Sequence, residues 1–293
     1  MSVVQALLSR LIDYAGLFPP ASLDMEAAVR NYQRYLTGPH AWMLGNFIVP
    51  AARLPEFGEM FQAVCCDEQE NPWTVSVVCA GESLPVDLQA IHDFPQGAAF
   101  VTSLEFKAVN VRTARAVLTA LPRGPVRYVE VAPDRVQRLL PLLVSSSARA
   151  KLRTGGVTEA AIPSPRAIAQ FLTACAQERV PFKATAGLHH PIRSAHPLTY
   201  DFGSAEATMH GFLNVFLAAT LAFYGSTEDV LAATLTEQDP EVFRLEDNDG
   251  VIAWHDQRVT SDQIKRARRE FAISFGACSF TEPIDDLKAM EWL

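Results

Sequence analysis

The sequence predicts an α/β fold, a closed (β/α)8 barrel of the TIM type. Three observations carry that expectation. Eight apolar runs of strand length alternate with amphipathic helical patterns, the rhythm of a parallel sheet with crossover helices. Charged residues recur at the C-terminal ends of these runs, where barrel enzymes place their sites. No glycine-rich turn follows the first strand, as an open nucleotide-binding sheet would have. The 293 residues, 49% hydrophobic, are enough for one large core, so a single domain over 1–293 is expected.

The strands expected are Ile12–Phe18, Met43–Val49, Thr74–Cys79, Ala98–Phe106, Val126–Val131, Ala150–Arg153, Phe182–Ala186 and Ala272–Phe275. Between them, Pro55–Val64, Val111–Leu121, Arg135–Val144 and Ser164–Glu178 are amphipathic at helical spacing. The rhythm breaks after the seventh strand. A long apolar helix is expected over Ala205–Phe223 and a second over Thr227–Leu235. A hairpin spans Phe243 to Trp254 and closes at Asp249-Gly250; a helix over Ser261–Glu270 then leads to the last strand. Residues 225–260 thus form a helix-hairpin insertion between strands seven and eight. The acidic turn is no calcium loop, because Leu245 stands where the first carboxylate is required.

Composition excludes several partners. Net charge is −8 with no basic stripe, which argues against nucleic acid. The longest apolar stretch, Gly211 to Tyr224, falls short of the roughly 20 residues that span a bilayer. The N-terminus lacks the basic and cleavage regions of a signal peptide. Five cysteines without metal or redox spacing read as reduced thiols, so a cytoplasmic location is expected.

Strand alternation sorts the charges by face. Glu105 pairs with Lys107, Tyr128 with Glu130, Lys151 with Arg153, and Lys183 with Thr185. If the charged ones point inward, four cations meet two carboxylates and favour an anionic substrate. Lys183 is the sharpest candidate: apolar walls and neighbouring cations would depress its pKa and free the amine for a carbonyl. The competing reading is an ion pair with Glu130 or Glu105, and Lys151 reads as a structural pair. Arg153 precedes Thr154-Gly155-Gly156, whose backbone would approach an anion closely. Glu105, Glu130 and His189 are candidates for proton transfer. His190 and His210 are candidates for substrate binding, as are Gly276 and Ser279 after the last strand; Ser279 reads equally as a helix N-cap. Asp13 and Asn46 end the first two strands and are weaker candidates. Cys278 reads as a buried small hydrophobe, because no base neighbours it in sequence.

Three motifs converge here: Arg153-Thr-Gly-Gly156, Phe182-Lys-Ala-Thr-Ala-Gly-Leu-His-His190 and Phe275-Gly-Ala-Cys-Ser279. They resemble strands six to eight of deoxyribose-phosphate aldolases and related class I aldolases. The resemblance implies a barrel with a Schiff-base lysine on strand six, a tuning lysine on strand seven and a phosphate-holding glycine-serine turn after strand eight. Lys183 matches the strand-seven lysine. Arg153 stands at the strand-six position, with Lys151 two residues earlier.

The leading functional expectation is an aldolase-like lyase. It would act on a small carbonyl compound carrying a carboxylate or phosphate, with no cofactor and no metal. Two alternatives stand beside it. One is a metal-assisted hydrolase or isomerase using His189, His190 and His210. The other is a non-catalytic metabolite-binding barrel, a homo-oligomer whose contact face is the apolar helix 205–223.

Overall fold

The structure, a computed structural model, describes residues 2–64, 72–80, 83–95, 97, 99–246, 248 and 250–293. Cys65, Cys66, Ala98 and Asp249 lie outside the described residues. In chain order the first strands are β1 (Ile12–Tyr14), β2 (Leu44–Pro50), β3 (Trp73–Cys79), β4 (Ala99–Lys107), β5 (Val126–Val131), β6 (Arg149–Arg153) and β7 (Phe182–Thr185). After β8 (Ser194–Pro197), β9 (Glu206–Met209), β10 (Phe243–Glu246), β11 (Val251–Trp254) and β12 (Gln257–Thr260) comes β13 (Ala272–Ala277). Strands β1 to β7 and β13 close a parallel eight-stranded barrel, with β13 seated between β7 and β1. This is the predicted (β/α)8 fold.

The helices are α1 (Val3–Leu8), α2 (Met25–Leu36), α3 (Leu54–Val64), α4 (Leu84–Asp93), α5 (Val111–Ala120), α6 (Val136–Ser146), α7 (Pro165–Gln177), α8 (Phe212–Phe223), α9 (Glu228–Thr236), α10 (Ser261–Glu270) and α11 (Thr281–Ala289). Local chemistry fixes their starts. Asp24, Asn110, Ser164 and Thr227 accept a hydrogen bond from the third following N–H, and Thr260 closes a full capping box with Gln263. The outward faces of the strands bury Val75, Val77, Leu104, Val129, Leu152 and Phe182 under the helices. Each such side chain contributes roughly 1.5–3 kcal/mol of hydrophobic stabilisation.

Two expectations need correction. The helix expected over 205–223 begins only at Phe212, because Glu206–Met209 pairs antiparallel with Ser194–Pro197 as the β8–β9 hairpin and Gly211 caps α8. Nor is α8 a free oligomer face. Its residues from Phe212 to Ala222 are all buried, packed by α7, α9, α10 and β13 of the same chain. A helix that is apolar all round signals burial rather than an exposed stripe. The expected β10–β11 hairpin gains a third strand, β12, through a tight turn in which His255 takes a left-handed φ of 49°. That turn lacks the glycine or asparagine that would have advertised it.

Candidate active site at the barrel mouth

Few TIM barrels fill their interior with charge; layers of branched apolar side chains are usual. Here the inward positions hold a continuous ion network. Lys183 Nζ donates to Asp13 Oδ2 and Glu105 Oε1, both at 2.6 Å. Glu105 Oε2 lies 2.8 Å from Lys151 Nζ, which is 3.0 Å from Glu130 Oε2. Glu130 Oε1 in turn accepts from Arg153 Nε at 2.8 Å. Hydroxyl and amide donors complete the shell. Ser274 Oγ and the Asn46 N–H donate to Asp13 at 2.8 and 2.7 Å, and Ser76 Oγ donates to Glu105 Oε1 at 2.6 Å.

The strand register explains this alternation. Lys151 and Lys183 are direct neighbours across β6 and β7, and so are Glu130 and Lys151 across β5 and β6. Two ammonium groups side by side repel. Glu105 reaches between them from β4 and offers one oxygen to each. Buried ions cost several kcal/mol apiece unless each is paired, and here each has an oppositely charged partner within 3.0 Å.

The protonation states follow. Burial disfavours the Lys183 ammonium, but the Asp13 and Glu105 carboxylates outweigh it and hold the group above its ordinary range. This corrects the expectation of a depressed lysine, which rested on neighbouring cations without counting Asp13. Burial likewise raises Glu105, yet Lys151 and Lys183 bring it well below the usual carboxylate range. Glu130 is also lowered: Lys151 and Arg153 overcome its burial.

Above the network lies a cavity of about 410 Å³ at the C-terminal rim. Glu105, Glu130, Lys151, Arg153, Gly156, His189, Gly276 and Cys278 line it, with Phe18, Ile48, Val78 and Phe106 as apolar wall. Lys183 lies below, at 1% exposure, while the Arg153 side chain reaches 45%. Thus Lys151, rather than Lys183, presents its ammonium to the cavity. Gly155 acts through packing: a Cβ there would stand 2.9 Å from the Gly187 Cα. Ser279 Oγ accepts from the Glu282 N–H at 3.2 Å, an N-terminal cap on α11.

The three histidines separate. His189 Nδ1 is 2.9 Å from Glu282 Oε2, and its Nε2 faces Cys278 Sγ at 3.9 Å. Burial disfavours the His189 cation, but the contacts to Cys278 and Glu282 raise it to about 9. His190 instead pairs with Asp286 at 2.6 Å and stacks on His196. His210 Nε2 donates to the Pro163 carbonyl at 2.7 Å, and burial lowers it to about 4. Neither His190 nor His210 lines the cavity, and among the described residues no three His, Cys, Asp or Glu side chains gather as a metal site.

Two contacts escaped sequence reasoning, Asp13 as the partner of Lys183 and Cys278 as the neighbour of His189. Barrel closure supplies the missing signal. β13 lies between β1 and β7, so residues just past β7 and β13 must meet at one rim.

No protein-family model matches the chain, and no curated protein matches it. Among solved structures, the chain is similar to a mutant of FabK from Thermotoga maritima, at 13% identity and a TM-score of 0.42, over 99% of this chain and 96% of that one.

Proposed function

We propose that this barrel is a lyase-type enzyme acting on a small carbonyl compound that carries a carboxylate or phosphate. The observation that supports it most is the buried ion chain from Asp13 to Arg153, whose outer members Lys151 and Arg153 open onto one cavity. In this reading the Arg153 guanidinium, already aligned by Glu130, binds the anionic group. The Lys151 ammonium faces the carbonyl oxygen and stabilises the negative charge that grows there as the adjacent bond breaks. Protonated at neutral pH, His189 donates to the leaving fragment, and Glu130, which lines the same cavity, accepts the proton. Lys183 is a positioning residue that keeps Glu105, and through it Lys151, in place.

The class I aldolase resemblance implies an imine. Protonated and doubly paired, Lys183 is poorly placed to form one, so the electrostatic route is the form proposed. Borohydride treatment with a panel of small 2-oxo acids and sugar phosphates tests the choice. The expected result is ligand-induced thermal stabilisation without a reduced adduct on Lys183. An adduct mapped to Lys183 would overturn the electrostatic route, and absence of stabilisation by any anionic carbonyl compound would overturn the substrate class.

A further inference from the structure

A nucleophile with a base and an orienting carboxylate stands at the same cavity, after β7 and β13. Cys278 follows β13 by one residue, His189 lies in the loop after β7, and Glu282 belongs to the first turn of α11. Glu282 Oε2 accepts from His189 Nδ1 at 2.9 Å, which fixes the ring so that Nε2 faces Cys278 Sγ at 3.9 Å. The Tyr200 hydroxyl, from the turn of the β8–β9 hairpin, lies 3.7 Å from the same sulfur. Cys278 is only 6% exposed, yet it lines the 410 Å³ cavity. Cys79 lines the cavity too but has no such base, and burial pushes its thiol up to about 12.

We infer that Cys278, His189 and Glu282 form a thiol acyl-transfer centre whose substrates are small esters or thioesters bearing a carboxylate. This goes beyond the lyase reading and does not require its chemistry; the two share the cavity, its cationic wall and His189. In the reactive pair His189 holds the thiol proton as its imidazolium, opposite the sulfur. Sγ attacks the carbonyl carbon, the new S–C bond forms, and the bond to the leaving alcohol or thiol breaks with its electron pair on the leaving atom. His189 returns the proton to that atom. Water, deprotonated by His189, then attacks the acyl-thioester, releasing the acid and restoring the thiol. Tyr200 is placed to donate to the carbonyl oxygen in both steps.

The test uses the full chain. Iodoacetamide labelling of Cys278 is followed by peptide mass spectrometry from pH 5 to 9. Labelling at pH 6 is expected to run at least about tenfold faster than for an ordinary thiol of pKa near 8.5. His189→Gln is expected to return the profile to that ordinary range, and Glu282→Gln to shift it partway, with unfolding temperatures recorded for each. p-Nitrophenyl hemisuccinate is expected to give a burst of nitrophenol and a succinyl adduct on Cys278, both lost in Cys278→Ala, with the neutral acetate ester slower. An ordinary profile in the wild-type protein overturns the inference, as does an adduct that survives Cys278→Ala. Because the wild-type profile is decisive by itself, a variant that fails to fold leaves the inference falsifiable. The lyase reading is read out by ligand stabilisation and Arg153 variants, so failure of one is distinguishable from failure of the other.

Discussion

Lys183 illustrates how far one residue's chemistry depends on its partners. Its amine is held between two carboxylates at 2.6 Å, and removing it would leave Asp13 as an unpaired buried charge and Glu105 with Lys151 as its one remaining cation. Lys183→Met is therefore expected to destabilise the fold by about 3–5 kcal/mol in denaturant titrations; a change below about 1 kcal/mol would show that the network relaxes without it. His189 gives a pH signature. Its pKa is raised from 6.5 to about 9 in the fold, so the stabilisation from its pairing is complete below pH 6.5 and is lost as pH rises toward 9. His210 acts in the opposite direction. Lowered to about 4, it must stay neutral in the fold, and stability falls as pH drops from 6.5 toward 4. Thermal unfolding across pH 4 to 9 should show both slopes, and His189→Gln should flatten only the alkaline one. Much of this was hidden in the sequence. Alternation along β4 to β7 grouped Glu105, Glu130, Lys151, Arg153 and Lys183 on inward faces. It gave no account of Asp13, which lies 170 positions from Lys183 and meets it only because the barrel closes.

At the scale of elements, the loops after β6 and β7 are laced together. Thr154 Oγ1 donates to the Ala186 carbonyl at 2.6 Å, its N–H donates to the Thr185 carbonyl at 2.9 Å, and Gly155 packs against Gly187. Ala186 and Gly187 both take left-handed φ values, 64° and 75°. Gly187→Ala would strain the backbone and drive a Cβ to 2.9 Å from the Gly155 Cα. It is expected to cost on the order of 1–3 kcal/mol and to weaken ligand binding, because the shifted loop carries His189. Calorimetry on that variant with unchanged stability would mean the loops tolerate separation. Strand positions were legible here because apolar runs bounded by glycine and proline mark them well. The β8–β9 hairpin was not: Glu206–Met209 runs straight into an apolar helix with no turn residue before Gly211, and its partner strand is only four residues long.

The whole molecule separates stability from chemistry by face. The outward faces of the strands build the apolar core under the helices, while the inward faces carry charge that no packing argument requires. Barrel architecture was readable from alternating patterns alone, since eight strand–helix cycles leave few other closed arrangements. The contents of the mouth were readable only in part, because a cavity is assembled from the ends of strands far apart in sequence. Among the described residues no helix is long and apolar enough to cross a membrane. On the proposed function, Arg153 and Lys151 make the mouth a receptor for small anionic carbonyl compounds. Calorimetric titration of the wild-type protein and of Arg153→Ala with a series of 2-oxo acids and sugar phosphates tests it most directly. Arg153 is half-exposed and its loss should spare the fold. Binding by the wild-type chain is expected, with at least about a tenfold loss in Arg153→Ala, the worth of one charge-assisted contact. Equal affinities for the two proteins, or no binding by either, would contradict it.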